Sequence, residues 1–261
     1  MLLPENTVWL GFIGSLIAGS MTGVGALGVF FIRRLSTSLE DILLSAAAGV
    51  MLAASIFSLL LPGIEEASAQ GFNASGSVII VLSGMMLGAA ALAIIYRCTP
   101  HQHFRKPFPD SDSKALKRIW LFVLAIALHN FPEGMAVGVG FAKGDLENGL
   151  TLTLGIGLQN IPEGLAVAIS LLAVGYRSAY AFSVAFLTGL IEPVGGLFGA
   201  ALVSISQPLL PWVLGGAAGA MLFVISDEII PQTHNRGHEG LATFSLLGGF
   251  AVMMYLDTVF A

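Results

Sequence analysis

Leu158-Gln159-Asn160-Ile161-Pro162-Glu163-Gly164-Leu165-Ala166-Val167 lies inside a long apolar run, and so does a near copy, Leu128-His129-Asn130-Phe131-Pro132-Glu133-Gly134-Met135-Ala136-Val137. Hydrocarbon surroundings tolerate such residues poorly: a charged side chain near a bilayer centre costs about 2.5–3.5 kcal/mol even on lenient insertion scales. A carboxylate repeated at that depth reads as a functional site, and holding a cation is the use its chemistry suggests.

The rest of the chain supplies the membrane context. Hydrophobic residues make up 56% and charged residues 10% of the 261 positions, and the mean hydropathy is +0.86, outside the range of soluble domains. Eight apolar segments of spanning length follow, at residues 8–32, 42–61, 78–96, 119–141, 150–174, 179–205, 210–230 and 241–260. No period-two alternation marks a barrel, so the expectation is an all-α integral membrane protein with eight transmembrane helices. The first segment lacks a basic leader and a cleavage site and reads as a retained span. The 32 glycines suit closely packed membrane helices. A net charge of −5 argues against nucleic acid as a partner, and the lone Cys98 excludes a disulfide framework or a thiolate cluster.

Basic residues alternate between the connections. Arg33, Arg34, Arg97, Arg105, Lys106, Lys114, Lys117, Arg118, Arg177 and Arg236 fall on one side, while Glu65, Glu66, Asp145 and Glu147 fall with Lys143 on the other. The positive-inside rule then places both termini on the extracytoplasmic face of a cell membrane. Residues 98–116, with Pro100, His101, His103, Pro107 and Pro109, read as a cytoplasmic loop; its two histidines are a solvated linker or a metal-gathering segment.

Two internal echoes stand out. The Pro-Glu-Gly motif recurs on consecutive, oppositely directed spans, and Ala47-Ala48-Gly49-Val50-Met51-Leu52 resembles Ala217-Ala218-Gly219-Ala220-Met221-Leu222. Inverted repeats of this kind place a transporter's binding site at the repeat interface near the midplane. Pro132 and Pro162 cannot donate to the carbonyls of Leu128 and Leu158, so a kink is expected in each helix. Helical spacing puts His129, Asn130 and Glu133 on one side, and Gln159, Asn160 and Glu163 repeat the arrangement. Glu192, in Leu190-Ile191-Glu192-Pro193, interrupts the sixth span and is a third carboxylate for the cluster. Three such groups call for divalent cations or for protons. Imidazole, with the Met51 thioether, favours zinc or cadmium, and the oxygen donors also accept harder ions such as manganese; one softer and one all-oxygen subsite are expected. Asp227, Glu228 and His234, with His238 and Glu239 beyond them, read as a cytoplasmic exit relay or as interfacial anchors. Glu65, Glu66 and Asp257 read as an outer mouth or as surface charge.

With these residues in view, the paired motifs, the segments at 47–55 and 226–231 and the eight spans resemble the ZIP family of zinc and iron transporters, in its prokaryotic branch. The resemblance covers essentially the whole chain as one membrane domain, residues 1–261. It implies an elevator-type carrier in which spans one, four, five and six move against a scaffold of spans two, three, seven and eight that forms a homodimer. It further implies one metal subsite from Met51, His129, Glu133, Gln159 and Glu163, and a second from Asn130, Asn160 and Glu192 sharing the two motif glutamates. Gln159 departs from the family, where many members carry His, which leaves selectivity among zinc, cadmium, iron and manganese open. No cofactor is implied, since the metal is the cargo. An intramembrane metal-dependent hydrolase is the rival reading, weakened by the absence of a His-Glu-x-x-His run, and a passive channel is the third.

Overall fold

The computed structural model describes residues 4–32, 36–98 and 112–260. Arg33, Arg34, Pro100, His101, His103, Arg105, Lys106, Pro107 and Pro109 lie outside the described residues, as do the side chains of Cys98, Lys114, Lys117, Arg118, His129 and Lys143.

Apolar segments in hydrocarbon must satisfy every backbone group internally, and the described chain is helical throughout its spans. The helices are α1 (Pro4–Ala26), α2 (Thr37–Ala54), α3 (Leu61–Ala69), α4 (Ala74–Cys98), α5 (Asp112–Gly140), α6 (Leu146–Ala173), α7 (Ser178–Gly189), α8 (Glu192–Ile205), α9 (Leu210–Val224), α10 (Ile230–Thr233) and α11 (Glu239–Phe260). Seven described stretches are long and apolar enough to cross a membrane. The 29-residue α5, which carries the first motif, is the eighth long helix. Side-chain caps fix several starts: Ser36 accepts from Leu39 N at 3.2 Å, and Asp145 from Asn148 N at 3.0 Å.

Two boundaries differ from the sequence reading. The second span runs on through a π turn (Ser55–Leu60) into α3, so Glu65 and Glu66 sit on a helix and not in a loop. Pro62 ends nothing there, because it lies in the first turn of α3, where its missing N–H is no loss. The carbonyl it frees, that of Ser58, accepts from Asn148 Nδ2 at 3.3 Å. The fourth span begins at Asp112, well before residue 119. The sixth span breaks at Leu190–Ile191 between α7 and α8, as Glu192 and Pro193 suggest, whereas Pro132 and Pro162 stay within continuous helices.

The inverted repeat is legible in the packing. Helix α1 lies along α6 as α8 lies along α5, and α2 lies along α11 as α9 lies along α4. A second π turn (Ile225–Ile229), again followed by proline at Pro231, links α9 to α10 as the first links α2 to α3. The glycine contacts obey the same pairing. A Cβ on Gly164 would strike the Thr22 carbonyl, and one on Gly134 would strike that of Glu192. Gly19 and Gly189 press on each other's carbonyls, while Gly25 abuts Ile161 and Gly195 abuts Phe131. In the outer pairs Gly49 abuts Leu246 and Gly219 abuts Met85. Thus α1, α5, α6 and α7–α8 form one closely packed group, and α2–α3, α4, α9–α10 and α11 surround it. The groups meet chiefly where α2 packs on α6 and α9 on α5. Helices α4 and α11 are outermost and expose Ile79, Leu87, Phe244 and Val252.

These contacts leave no room for a methyl group at the crossings. Gly164→Ala is expected to lower stability by about 1–3 kcal/mol, the usual penalty of overpacking, as a reduced melting temperature in detergent. Gly248→Ala, which meets no atom within 4 Å, is expected to leave melting unchanged or slightly raised.

Candidate metal site

Three elements converge behind the glycine crossings. Helix α5 brings Asn130 and Glu133, α6 brings Gln159, Asn160 and Glu163, and the break in the sixth span brings Glu192 as the first residue of α8. The start of α8 is a favourable place for a carboxylate, because unpaired N–H groups at a helix N-terminus carry partial positive charge. Glu133, Glu192, Asn130 and Asn160 are fully buried, at 0% exposure, and Gln159 and Glu163 are at 2%. Isolated charges at that burial would be very costly, so their partners decide what the site is.

The partners form a chain across the helices. Gln159 Nε2 donates to Glu133 Oε1 at 2.6 Å and to Asn160 Oδ1 at 2.8 Å. Asn160 Nδ2 in turn donates to Glu192 Oε1 at 2.7 Å and to the carbonyl of Ala18 on α1 at 2.9 Å. Four helices are thereby joined through two amides. Those neutral N–H groups offer the carboxylates partial positive charge, and rotation of either amide about its terminal torsion would present an oxygen in place of an N–H donor.

Helical spacing accounts for most of this assembly, and the fold supplies the remainder. Glu133, Gln159, Asn160 and Glu192 are brought together directly. Glu163 lies one turn beyond Gln159 on the same helix, and Asn130 is buried on α5 beside Glu133's turn. Met51 is fully buried on α2, which packs on α6, and the His129 side chain lies outside the described residues. Among the described residues no three His, Cys, Asp or Glu side chains stand close enough to enclose an ion by themselves. Gln159 and Asn160 are the side chains that link the described carboxylates.

Comparison with known proteins gives this arrangement a family. The ZIP zinc transporter model matches residues 101–257. The zinc transporter GufA of Myxococcus xanthus is 43% identical over 247 residues, covering 95% of this chain and 97% of that protein. Zinc transporter ZIPB of Bordetella bronchiseptica is 45% identical over 260 residues, covering 98% and 84%, and human zinc transporter ZIP11 is 32% identical over 338 residues, covering 98% and 99%. This chain belongs to the ZIP family. It is a multi-pass membrane protein of a transporter family and not an enzyme, and nothing supports the hydrolase reading.

The ZIP fold also gathers polar residues at both ends. At one end, Glu65, Glu66, Asp145 and Asn148 line a cavity of about 270 Å³ with Pro62 and Leu214. Asp257 does not belong to an open surface: it is buried, and Ser58 Oγ donates to its two oxygens at 2.8 and 3.0 Å. At the other end Asp227 and Glu228 occupy the second π turn, where Tyr96 donates to Glu228 Oε2 at 3.0 Å. The His234 ring bonds Thr233, the Ile230 carbonyl and Thr243. His238 pairs with Asp41 at 3.1 Å, and Arg236 bridges Glu40 at 2.9 Å and Asp41 at 3.4 Å. Glu239 accepts from the Gly237 N–H at 3.1 Å. Sequence reasoning missed Asp41 and Ser58, whose partners lie far along the chain. It also missed Thr22, whose buried position beside Gly164 no local motif announces.

Asn160 is the joint of the chain. Asn160→Leu removes the donor shared by the Ala18 carbonyl and Glu192 Oε1, and a loss of about 1–3 kcal/mol is expected for the buried hydrogen bonds broken. Thermal melting of the purified protein in detergent checks it, with Gln70→Leu, at an exposed position, as the unaffected control.

Proposed function

We propose that this protein carries divalent cations, zinc foremost and cadmium with it, through the membrane into the cytoplasm by way of the carboxylate and amide cluster. The single observation that carries the reading is the hydrogen-bonded run from Glu133 through Gln159 and Asn160 to Glu192, buried where α1, α5, α6 and α8 cross. Membership of a zinc transporter family, and relatives named as zinc transporters, point the same way.

The proposed site is binuclear. His129, Glu133, Gln159 and Glu163, with Met51, hold the softer position, while Asn130, Asn160 and Glu192 share the motif glutamates in an all-oxygen position. Three carboxylates and several neutral donors attract a pair of divalent ions without trapping them, as a carrier requires. The acidic cavity of Glu65, Glu66 and Asp145 serves as the outer mouth, and Asp227, Glu228 and His234 serve as the exit. The termini then face outward, with Arg97, Arg177 and Arg236 on the cytoplasmic side of the cell membrane. The moving bundle comprises α1, α5, α6 and α7–α8, which share the site and pack closely among themselves. The remaining helices form the scaffold, whose outermost α4 and α11 face lipid or a second copy in a homodimer.

Initial-rate uptake of Zn²⁺ and Cd²⁺ into liposomes containing only this protein tests the reading. Wild-type protein is expected to show saturable uptake, and Glu133→Ala and Glu163→Ala to lower it by about two orders of magnitude, in line with about 3–5 kcal/mol for breaking a buried charged contact. Undiminished uptake by both variants would reject the route.

A further inference from the structure

Thr22 carries a hydroxyl that its surroundings do not satisfy. Serines and threonines in apolar helices ordinarily bond a carbonyl three or four residues back. Ser15 bonds Gly11, Ser20 bonds Leu16, Ser55 bonds Met51, Thr153 bonds Gly149 and Thr188 bonds Ala185, all at 2.6–2.8 Å. Thr22 is 1% exposed, yet its Oγ1 has no partner among the described residues. The carbonyl it would ordinarily use, that of Ala18, is already occupied by Asn160 Nδ2.

Its position is equally specific. The Thr22 carbonyl lies against Gly164, the residue after Glu163, and its side chain lies over Gly189, where α7 gives way to the break that introduces Glu192. A Cβ on Gly189 would sit 2.7 Å from Thr22 Cβ and 2.8 Å from Oγ1, so glycine there keeps the hydroxyl in place. Across the inverted repeat, Gly19, Thr22 and Gly25 stand where Gly189, Glu192 and Gly195 stand. Thr22 is therefore the counterpart of Glu192. Glu192 reaches Asn160; the counterpart of Asn160 is Asn130, whose Oδ1 and Nδ2 are both buried and unpartnered. One half of the repeat holds a carboxylate and an amide bonded to each other, and the other holds a hydroxyl and an amide with no hydrogen-bond partner among the described residues.

We propose that Thr22 Oγ1 is a coordinating oxygen for the transported cation, acting with Asn130 Oδ1 as the neutral counterpart of Glu192 and favouring hard divalent ions such as Mn²⁺ over soft ones such as Cd²⁺. This rests on the metal-transport reading above. A hydroxyl oxygen adds a neutral donor without adding charge, so the three glutamates remain the only charged ligands. Hydroxyl and amide oxygens suit Mn²⁺ better than Cd²⁺, which gains more from imidazole and thioether.

Uptake of Mn²⁺ and Cd²⁺ into proteoliposomes, measured as KM and kcat for wild type, Thr22→Val, Thr22→Ser and Thr22→Cys, tests it. Thr22→Val keeps the shape and removes the oxygen; it is expected to raise the KM for Mn²⁺ about tenfold with a much smaller change for Cd²⁺. Thr22→Ser is expected to restore the wild-type ratio. Thr22→Cys exchanges a hard donor for a soft one and is expected to shift preference toward Cd²⁺, a reversal that a packing role would not produce. An unchanged Mn²⁺ to Cd²⁺ preference in Thr22→Cys, or equal effects on both ions in Thr22→Val, overturns the assignment. Wild-type vesicles that move neither ion would instead overturn the transport reading itself.

Discussion

Two side-chain amides hold this fold's central carboxylates. Gln159 and Asn160 pass hydrogen bonds from Glu133 to Glu192 and anchor the run to the Ala18 carbonyl. Without donors, burial of these carboxylates would carry a large desolvation cost. The glycine crossings serve the same end. Gly134, Gly164, Gly19 and Gly189 let backbones approach until side chains three or four atoms long can span neighbouring helices.

The inverted repeat explains why one short motif suffices for most of the site. Copies on antiparallel neighbours face each other, so Glu133 of one copy meets Gln159 of the other. The flanking repeat then adds α1 on one side and α8 on the other. Perfect symmetry would make both halves chemically alike. The departures, Gln159 opposite His129 and Thr22 opposite Glu192, make the halves chemically different, and the proposed preference between hard and soft ions rests on that difference. The paired π turns extend the symmetry to the outer helices, where an extra residue per turn reorients Ser58 and Asp227 relative to a regular helix.

Much of this was legible in the sequence because hydrocarbon penalises exceptions. An apolar run of spanning length can only be a helix, and a carboxylate within it needs a purpose; hence eight spans, Glu133, Glu163 and Glu192. The continuation of the second span was not legible, since Leu61-Pro62-Gly63 looks like a stop until the π turn shows proline in the first turn of a new helix. Ser58 and Asp257, or Asp41 and His238, have no local spacing that joins them; only the fold brings them together. Thr22 is hidden for another reason. A threonine in an apolar helix ordinarily satisfies itself, whereas Thr22 Oγ1 has no partner among the described residues and Asn160 bonds the Ala18 carbonyl behind it.

The central claim is that a divalent ion displaces the amide donors and sits among these side chains. Anomalous diffraction from crystals of the protein grown with Cd²⁺ tests it most directly. The account predicts strong peaks within coordination distance of Glu133, Gln159, Glu163 and Glu192, with the Gln159 or Asn160 amide turned so that its oxygen faces the metal. Peaks confined to the ends of the molecule, with the Glu133–Gln159–Asn160–Glu192 hydrogen bonds intact at saturating Cd²⁺, would contradict it.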